Sequence, residues 1–417
     1  MVSLASRFEP LPDAAPMLPY GNGRSYGDVC QNDGGTLLCT RALDRFIAFD
    51  DSSGVLECEA GVLLSEINAL FVPRGWFPHV TPGTAFVTVG GAIANDVHGK
   101  NHHRAGTFAH HLLGFELLRS DGQVLQCSPS QNPEWFAATI GGLGLTGLIR
   151  RARLQLRRVG GPSICGDSRR FGSLDEFFAL SAASDLDHEY TVAWLDCASR
   201  DARLGRGVFM RGNHVPGAVP GAAVRRPWRL RVTPPVSPIN GFTARAFNEL
   251  YFRRPAAQTR SARWDYRPFL YPLDGILEWN RIYGPRGFFQ YQCVLPERES
   301  RAVLAEMLRR IAASDQGSFL TVLKQFGDRP SLGLLSFARA GVTLALDFPN
   351  RGEATLRLLD ALDGLTRAAG GAVYPAKDAR MAPDAFRQYF PAWQEFAQYI
   401  DPKFSSSFWR RVTGSTP

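Results

Sequence analysis

Two glycine-rich segments and a pair of glutamines carry the residue types and spacings that could do chemistry. The first segment is Gly21-Asn22-Gly23-Arg24-Ser25-Tyr26-Gly27-Asp28. Three glycines in seven residues let the backbone turn sharply, and successive N–H groups in such a loop form a nest for an anion such as a pyrophosphate. Alone, the same loop serves equally well as a plain turn. The second segment runs from Pro82-Gly83-Thr84 through Thr88-Val89-Gly90-Gly91-Ala92-Ile93-Ala94-Asn95-Asp96-Val97-His98-Gly99-Lys100-Asn101-His102-His103. Its small middle residues let a backbone lie against a flat aromatic ring, and polar residues crowd its end. His98, His102 and His103 lack H-E-x-x-H spacing and a clear acidic third ligand, so no metal site is expected. The polar end reads instead as facing a cofactor or substrate. Gln290 and Gln292 alternate along a strand-like run, which puts both amides on one face and Tyr291 on the other.

A third run, Gly142-Leu143-Gly144-Leu145-Thr146-Gly147, fits G-x-G-x-x-G. The dinucleotide fingerprint needs a strand before it and a helix after it. Here the order is reversed, and no acidic residue ends a strand about 20 residues on. A Rossmann reading is rejected.

The elements that must position these residues fall into two textures. Thr36–Thr40, Val55–Glu59, Leu112–Leu118 and Gln123–Cys127 read as strands, and Leu64–Phe71 and Pro133–Ile140 as helices. From about residue 160 the pattern changes. Residues 162–173 read as loop, and 214–240, rich in Pro, Gly and Arg, as a long excursion. Strands follow near Gly287–Leu295, Ser318–Gln325 and Thr343–Phe348, with helices at Glu297–Ser314 and Glu353–Ala369. The last segment shows a strand at Ala372–Pro375 and a helix near Pro383–Tyr389. A glycine-rich N-terminal domain and a β-rich domain over about 160–370 are expected; pattern alone does not place the tail.

The 417 residues suffice for two domains. The seven cysteines are scattered and odd in number, with no C-x-x-C, which argues against a disulfide framework or zinc site and for a reducing compartment. No run approaches the roughly 18 apolar residues of a membrane span, and the start lacks the pattern of a signal peptide. A cytoplasmic protein is expected. Net charge is +8, which favours anionic partners. The dense run Arg225, Arg226, Arg229 and Arg231, interleaved with Trp228 and Leu230, is either a solvated loop or a surface that meets phosphate or anionic lipid. No zinc-finger spacing, RNP-like strand or continuous basic helix supports nucleic acid as the partner.

Taken in order, GRSYGD (23–28), PGT (82–84), TVGGAIANDVHGKNHH (88–103), GLTG (144–147), WNRIYGPRGFFQYQ (279–292) and YPAKD (374–378) resemble the FAD-linked oxidases of the vanillyl-alcohol oxidase type, the PCMH-type FAD fold. Within that family they are most similar to the decaprenylphosphoryl-β-D-ribose 2′-oxidases. The resemblance implies an α+β fold: a PCMH-type FAD-binding domain over 1–160, completed by 371–417, and a substrate-binding cap domain over 161–370 built on an antiparallel sheet. It implies that the 19–29 loop cradles the FAD pyrophosphate. Gly83, Thr88, Val89, Gly90, Gly91, Asn95, Asp96, Val97 and His98 would line the cofactor, with Ile149 and Tyr374 adding contacts. Many relatives carry in the first loop a histidine bonded to the flavin. Arg24 stands there in this chain and cannot form that bond, so the FAD is expected to be non-covalent.

By the same resemblance Lys377 and Lys100 lie at the flavin and in the substrate pocket, and Tyr26 lies at the flavin face, where it could relay a proton. Gln290, Gln292, Thr343 and Trp194 would meet substrate. Two positions depart from mycobacterial relatives: Ala345 replaces a pocket cysteine and Thr343 an asparagine. Only about 20 residues precede the first loop, where the family usually has a further strand and helix, which points to a shortened FAD domain.

The implied reaction is oxidation of a secondary alcohol of a sugar, the 2′-hydroxyl of a polyprenyl-phosphate-linked pentose. A partner short-chain reductase would finish an epimerisation, and peripheral contact with the inner face of a membrane would follow from the lipid and the basic charge. The competing readings are a soluble aldonolactone or sugar-alcohol oxidase using oxygen, and a non-catalytic FAD- or lipid-binding relative. Retention of Lys377, Lys100 and Tyr26 argues against the last.

Overall fold

A computed structural model describes residues 1–218, 227–254 and 261–414. Three larger sheets organise the described residues, and a fourth has only two short strands. A small parallel one, in the order Val2–Ser3, Thr36–Cys39, Met17–Tyr20, delivers the first glycine loop from the end of its last strand. A second, antiparallel sheet runs Phe46–Asp50, Val55–Glu59, Leu148–Arg158, Leu112–Leu118, Val124–Cys127, with Trp76–Pro78 paired to the far end of the long Leu148–Arg158 strand. Helices Leu64–Phe71, Val89–Ala94 and Pro133–Thr139 contribute Ile67, Phe71, Ala92, Ile93 and Phe136 to its core. The helix before and the strand after Gly142–Gly147 are those expected, which disposes of the dinucleotide fingerprint.

The largest sheet has eight antiparallel strands in the order Ala262–Asp265, Ser163–Phe171, Gly207–Val215, Tyr190–Leu195, Thr321–Phe326, Gly341–Pro349, Phe288–Leu295, Ala372–Val373. Strand alternation divides its faces. Leu323, Leu344, Leu346, Tyr291 and Cys293 point into a core closed by helices Glu297–Ala313 and Glu353–Ala368. Those helices repeat apolar residues at helical spacing: Leu304, Met307, Leu308 and Ile311 on the first, Leu358, Leu359 and Leu362 on the second. The opposite face carries Trp194, Lys324, Thr343, Ala345, Asp347, Gln290 and Gln292.

The loop expected over 162–173 is instead the strand Ser163–Phe171. Its Gly, Asp, Ser and Arg are poor strand formers, and the ladders on both sides, to Gly207–Val215 and Ala262–Asp265, impose the conformation. Of the expected 214–240 excursion, 219–226, and with it Arg225 and Arg226, lies outside the described residues. Trp228–Arg229 pairs in parallel with Ile276–Leu277.

After Ala372–Val373 the tail leaves the large sheet. Phe404 bridges Met17, and the Arg411 guanidinium grips Asp28 with two hydrogen bonds of 2.7 Å. Among the described residues no helix is long and apolar enough to cross a membrane.

Candidate active site

The first glycine loop and the YPAKD segment are locked together. A Cβ on Gly27 would sit 1.3 Å from the Asp378 carbonyl oxygen, so only glycine fits, and the Tyr26 N–H donates to Ala376 O at 2.9 Å. On its other side the loop meets the second segment: a Cβ on Gly21 would lie 2.4 Å from Thr88 Oγ1. Asn22 Nδ2 donates to Phe86 O at 2.7 Å. Thr88 caps the Val89–Ala94 helix by accepting from Gly91 N. Tyr374 closes the ring, donating to Asn95 O at 2.8 Å and stacking on Phe337.

The turn Pro375–Lys377 swings Lys377 over Tyr26, with Nζ 4.0 Å from the ring centroid. Asp347 faces Lys377 from the large sheet, and Gln290 Nε2, on the paired strand, donates to Asp347 Oδ1 at 2.5 Å. Asp347 Oδ2 and Gln290 Oε1 are buried and have no partner among the described residues. Burial pushes the Asp347 carboxyl up and the Lys377 ammonium down from their ordinary values, while each opposes the other's shift. Burial also raises the Tyr26 phenol, which therefore stays protonated near neutrality.

Gln292 makes a different set of bonds. Its Nε2 donates to His98 Nε2 at 2.9 Å and to Thr343 Oγ1 at 3.0 Å, and Thr343 in turn donates to Cys293 O. Burial, then Lys324 and other nearby cations, holds His98 well below its usual value, so its imidazole is neutral. With Nε2 accepting, the proton sits on Nδ1, which has no partner among the described residues.

Several expected contacts take other roles. Thr343 is fully buried with its hydroxyl engaged on both sides; it orients Gln292 rather than opening to a pocket. The Asp28 carboxylate is held by Arg411 and fastens the tail to the loop. Asp96 is buried, accepting from Ser336 Oγ and Ala109 N, and is a structural carboxylate. Val89, Val97 and Ile149 pack their side chains in the core of the antiparallel sheet. Trp194 donates to Phe319 O and packs on Tyr251. Lys100 Nζ donates to Phe269 O and lies over that ring.

Sequence reasoning missed Lys324. It pairs in register with Thr343 and lies within electrostatic reach of Lys100 and Lys377. Burial pulls both Lys100 and Lys324 down to about 7. Sequence reasoning also missed Asp347, which pairs with Gln290 across the sheet. Both sit on the polar face of half-alternating strands, a pattern that in sequence reads as solvent-facing.

Residues 13–128 match the FAD binding domain family. The chain is 35% identical over 415 residues to the decaprenylphosphoryl-β-D-ribose oxidase of Mycolicibacterium smegmatis, covering 95% of this chain and 89% of that one. An uncharacterised protein of Streptomyces coelicolor is 35% identical over 84% of this chain and its own full length. The chain belongs to the PCMH-type FAD-linked oxidases. It is an FAD-dependent oxidoreductase acting on a CH–OH group, with the α+β fold of that family. The L-gulonolactone oxidase of Mus musculus is 31% identical over 32% of this chain and 30% of its own.

The cradle fits that cofactor. The N–H groups of Asn22, Gly23, Arg24 and Ser25 have no acceptor among the described residues, as a nest awaiting a phosphate requires. The unpartnered His98 Nδ1 and Asn95 Oδ1 offer a buried donor and acceptor at the far end of the second segment.

Proposed function

We propose that the enzyme oxidises a secondary alcohol of a sugar carried on a polyprenyl phosphate, at the 2′-hydroxyl of a pentose, to a ketone. The observation that carries this reading is the open pair Asp347 Oδ2 and Gln290 Oε1 beside Lys377, with Lys324 within electrostatic reach of both Lys377 and Lys100. Two buried acceptors suit sugar hydroxyls, which donate, and clustered ammonium groups suit a phosphate. Identity over nearly the full length of a decaprenylphosphoryl-ribose oxidase supports the same class. Residues 1–160 with 371–417 hold the cofactor in this reading, and 161–370 present the substrate.

When bound, FAD supplies the hydride acceptor for the carbinol carbon. The Gly21–Ser25 N–H groups and the backbone of Gly83, Thr88–Gly91 and Asn95–His98 hold it. Arg24 has no nucleophile to bond it, so attachment is non-covalent. Asp347 Oδ2 takes the hydroxyl proton, and Lys377 donates to the carbinol oxygen and stabilises its growing negative charge. Gln290 fixes Asp347 and accepts from a neighbouring hydroxyl. Gln292, braced by Thr343, sets the His98 tautomer. Lys100 and Lys324 offset phosphate charge. A ketone next to the anomeric carbon is a substrate for a short-chain reductase, which would return it with inverted configuration.

Anaerobic mixing of the yellow enzyme with candidate alcohols tests this. A polyprenyl-phosphoryl pentose is expected to bleach the flavin absorbance rapidly. Bleaching only by free aldonolactones would move the enzyme to the soluble lactone oxidases. No bleaching by either class would leave a binding protein.

A further inference from the structure

The helix Gly241–Arg253 turns Gly241, Ala244 and Asn248 inward. Its outer face sets large apolar residues beside the exposed Arg245 and Arg253. Phe242 and Leu250 are 74% and 72% exposed, with Ala246 open between them. The chain entering the helix adds Trp228, Val232 and Val236, exposed by 65%, 71% and 78%. Isolated exposed apolar residues are ordinary, but five this open on one short stretch are not.

Charge accompanies the apolar surface. Residues 227–254 contain five arginines and one acidic residue, Glu249, which is already bound to Arg206 and Arg253. Arg229 and Arg281 share Glu278, and Arg231 has no ion pair among the described residues. An apolar face bordered by arginine is the composition of a helix that lies in a membrane interface, and it is complementary to anionic headgroups.

The patch also connects to the site by a row of three rings and by one ring pair on the sheet face. Tyr26 in the site meets Phe288 at 5.7 Å, and Phe288 meets Trp279 at 5.4 Å, two residues beyond the Ile276–Leu277 strand that pairs with Trp228–Arg229. Trp194, on the sheet face that bears Lys324, meets Tyr251 of the helix at 4.6 Å. The exposed face therefore borders the catalytic side of the large sheet at two points.

We infer that this face seats the enzyme on an anionic lipid bilayer, with Phe242, Leu250 and Trp228 entering the headgroup region and Arg231 and its neighbours meeting lipid phosphates. The placement rests on the lipid-linked reading of the substrate: the sugar reaches Asp347 and Lys377 while its polyprenyl chain stays in the bilayer.

Flotation of the flavin-loaded enzyme with vesicles of phosphatidylcholine, with and without phosphatidylglycerol, tests it. Binding is expected only where phosphatidylglycerol is present and is expected to weaken with salt. The double variant Phe242→Ser/Leu250→Ser is expected to lose at least tenfold in binding with an unchanged melting temperature. Arg231→Glu, a surface change that spares the apolar residues, is expected to weaken binding severalfold. Absence of binding to anionic vesicles overturns the inference, as does binding that neither variant reduces. A dimer in solution that Phe242→Ser/Leu250→Ser disperses overturns it too, since a second copy then covers the face. The two readings fail separately. Oxidation of a polyprenyl-phosphoryl pentose in detergent without vesicle binding removes the docking alone, and vesicle binding without oxidation removes the substrate assignment alone.

Discussion

Gln290 donates its side-chain N–H to Oδ1 of Asp347 across two paired strands at 2.5 Å, and this bond leaves Asp347 Oδ2 as a buried acceptor with nothing to accept. An unmet buried acceptor costs about 1–3 kcal/mol. A fold tolerates that cost where a ligand supplies the donor. Lys377 faces the same carboxylate and rests on the Tyr26 ring, so base, ammonium and aromatic wall converge from three distant parts of the chain.

The first prediction concerns Asp347. It must be ionised to accept a proton, and its carboxyl is raised by burial; Lys377 must be protonated to donate, and its ammonium is lowered by burial. The rate of anaerobic flavin reduction is thus expected to rise above the ordinary carboxylate range and fall below the ordinary lysine range, giving a narrowed bell. Asp347→Asn is expected to cut that rate by about 10²- to 10⁴-fold, the usual scale of general-base loss. It should also erase the acid limb and move the alkaline limb to lower pH, because Lys377 loses the charge that favours its protonation. An acid limb that survives in Asp347→Asn, measured by stopped flow, assigns the base elsewhere.

Legibility from sequence followed physical scale. Short-range facts were readable: the glycines at 21, 23 and 27, the apolar spacing of Glu297–Ala313, and the reversed order around Gly142–Gly147 all follow from local geometry. The alternation of Gln290 and Gln292 correctly separated Tyr291, which bonds Thr366 in the core. What stayed hidden depends on pairing. Lys324 meets the site only because Thr321–Phe326 lies beside Gly341–Pro349 in one register, and a one-residue slip would send it into the core. Likewise Asp28 looks like a loop ligand until Arg411, nearly the whole chain away, takes its carboxylate.

Lys324 gives the second prediction. Its folded value of about 7 lies well below the usual 10.5, so the unfolded chain holds that proton more tightly. The destabilisation is full below pH 7 and fades as pH rises toward 10.5. Lys324→Met is therefore expected to stabilise the flavin-free protein by on the order of 2–4 kcal/mol below pH 7, read as a higher melting temperature, and to change it little near pH 10. It is expected to weaken binding of a polyprenyl-phosphoryl sugar at the same time. A gain independent of pH would mean that Lys324 is not a buried cation.

Ala345 gives the third. It lies on the site face between Thr343 and Asp347, opposite Gln292 in register. The nearest thiol in sequence register, Cys293, points into the core, and burial pushes it up to about 12. Electrophiles that rely on a pocket thiol at this position are expected to inhibit without leaving an adduct. Intact-protein mass spectrometry should show an unmodified chain, and Ala345→Cys should gain one adduct. Modification of the parent enzyme within the site would contradict the placement of Ala345.

The last prediction concerns Arg411, which holds both halves of the site without touching a ligand. Its guanidinium bonds Asp28 beside the glycine loop at 2.7 Å, Asp378 beside Lys377 at 3.0 Å, and Met381 O. Removing it leaves two partly buried carboxylates facing each other, and breaking such a network costs about 3–5 kcal/mol. Arg411→Ala is expected to lower the melting temperature and to loosen the loop against Pro375–Lys377. FAD should then dissociate more readily, seen as a weaker dissociation constant in flavin fluorescence titration, because the backbone N–H nest depends on that packing. Arg411→Lys keeps the charge but forfeits the fork, so it should recover part of the stability and less of the flavin affinity. Asp28→Asn together with Arg411→Ala should be milder than Arg411→Ala alone, because one of the stranded charges is gone. Equal flavin affinity in Arg411→Ala and the parent, at a temperature where both are folded, would uncouple the tail from the cradle.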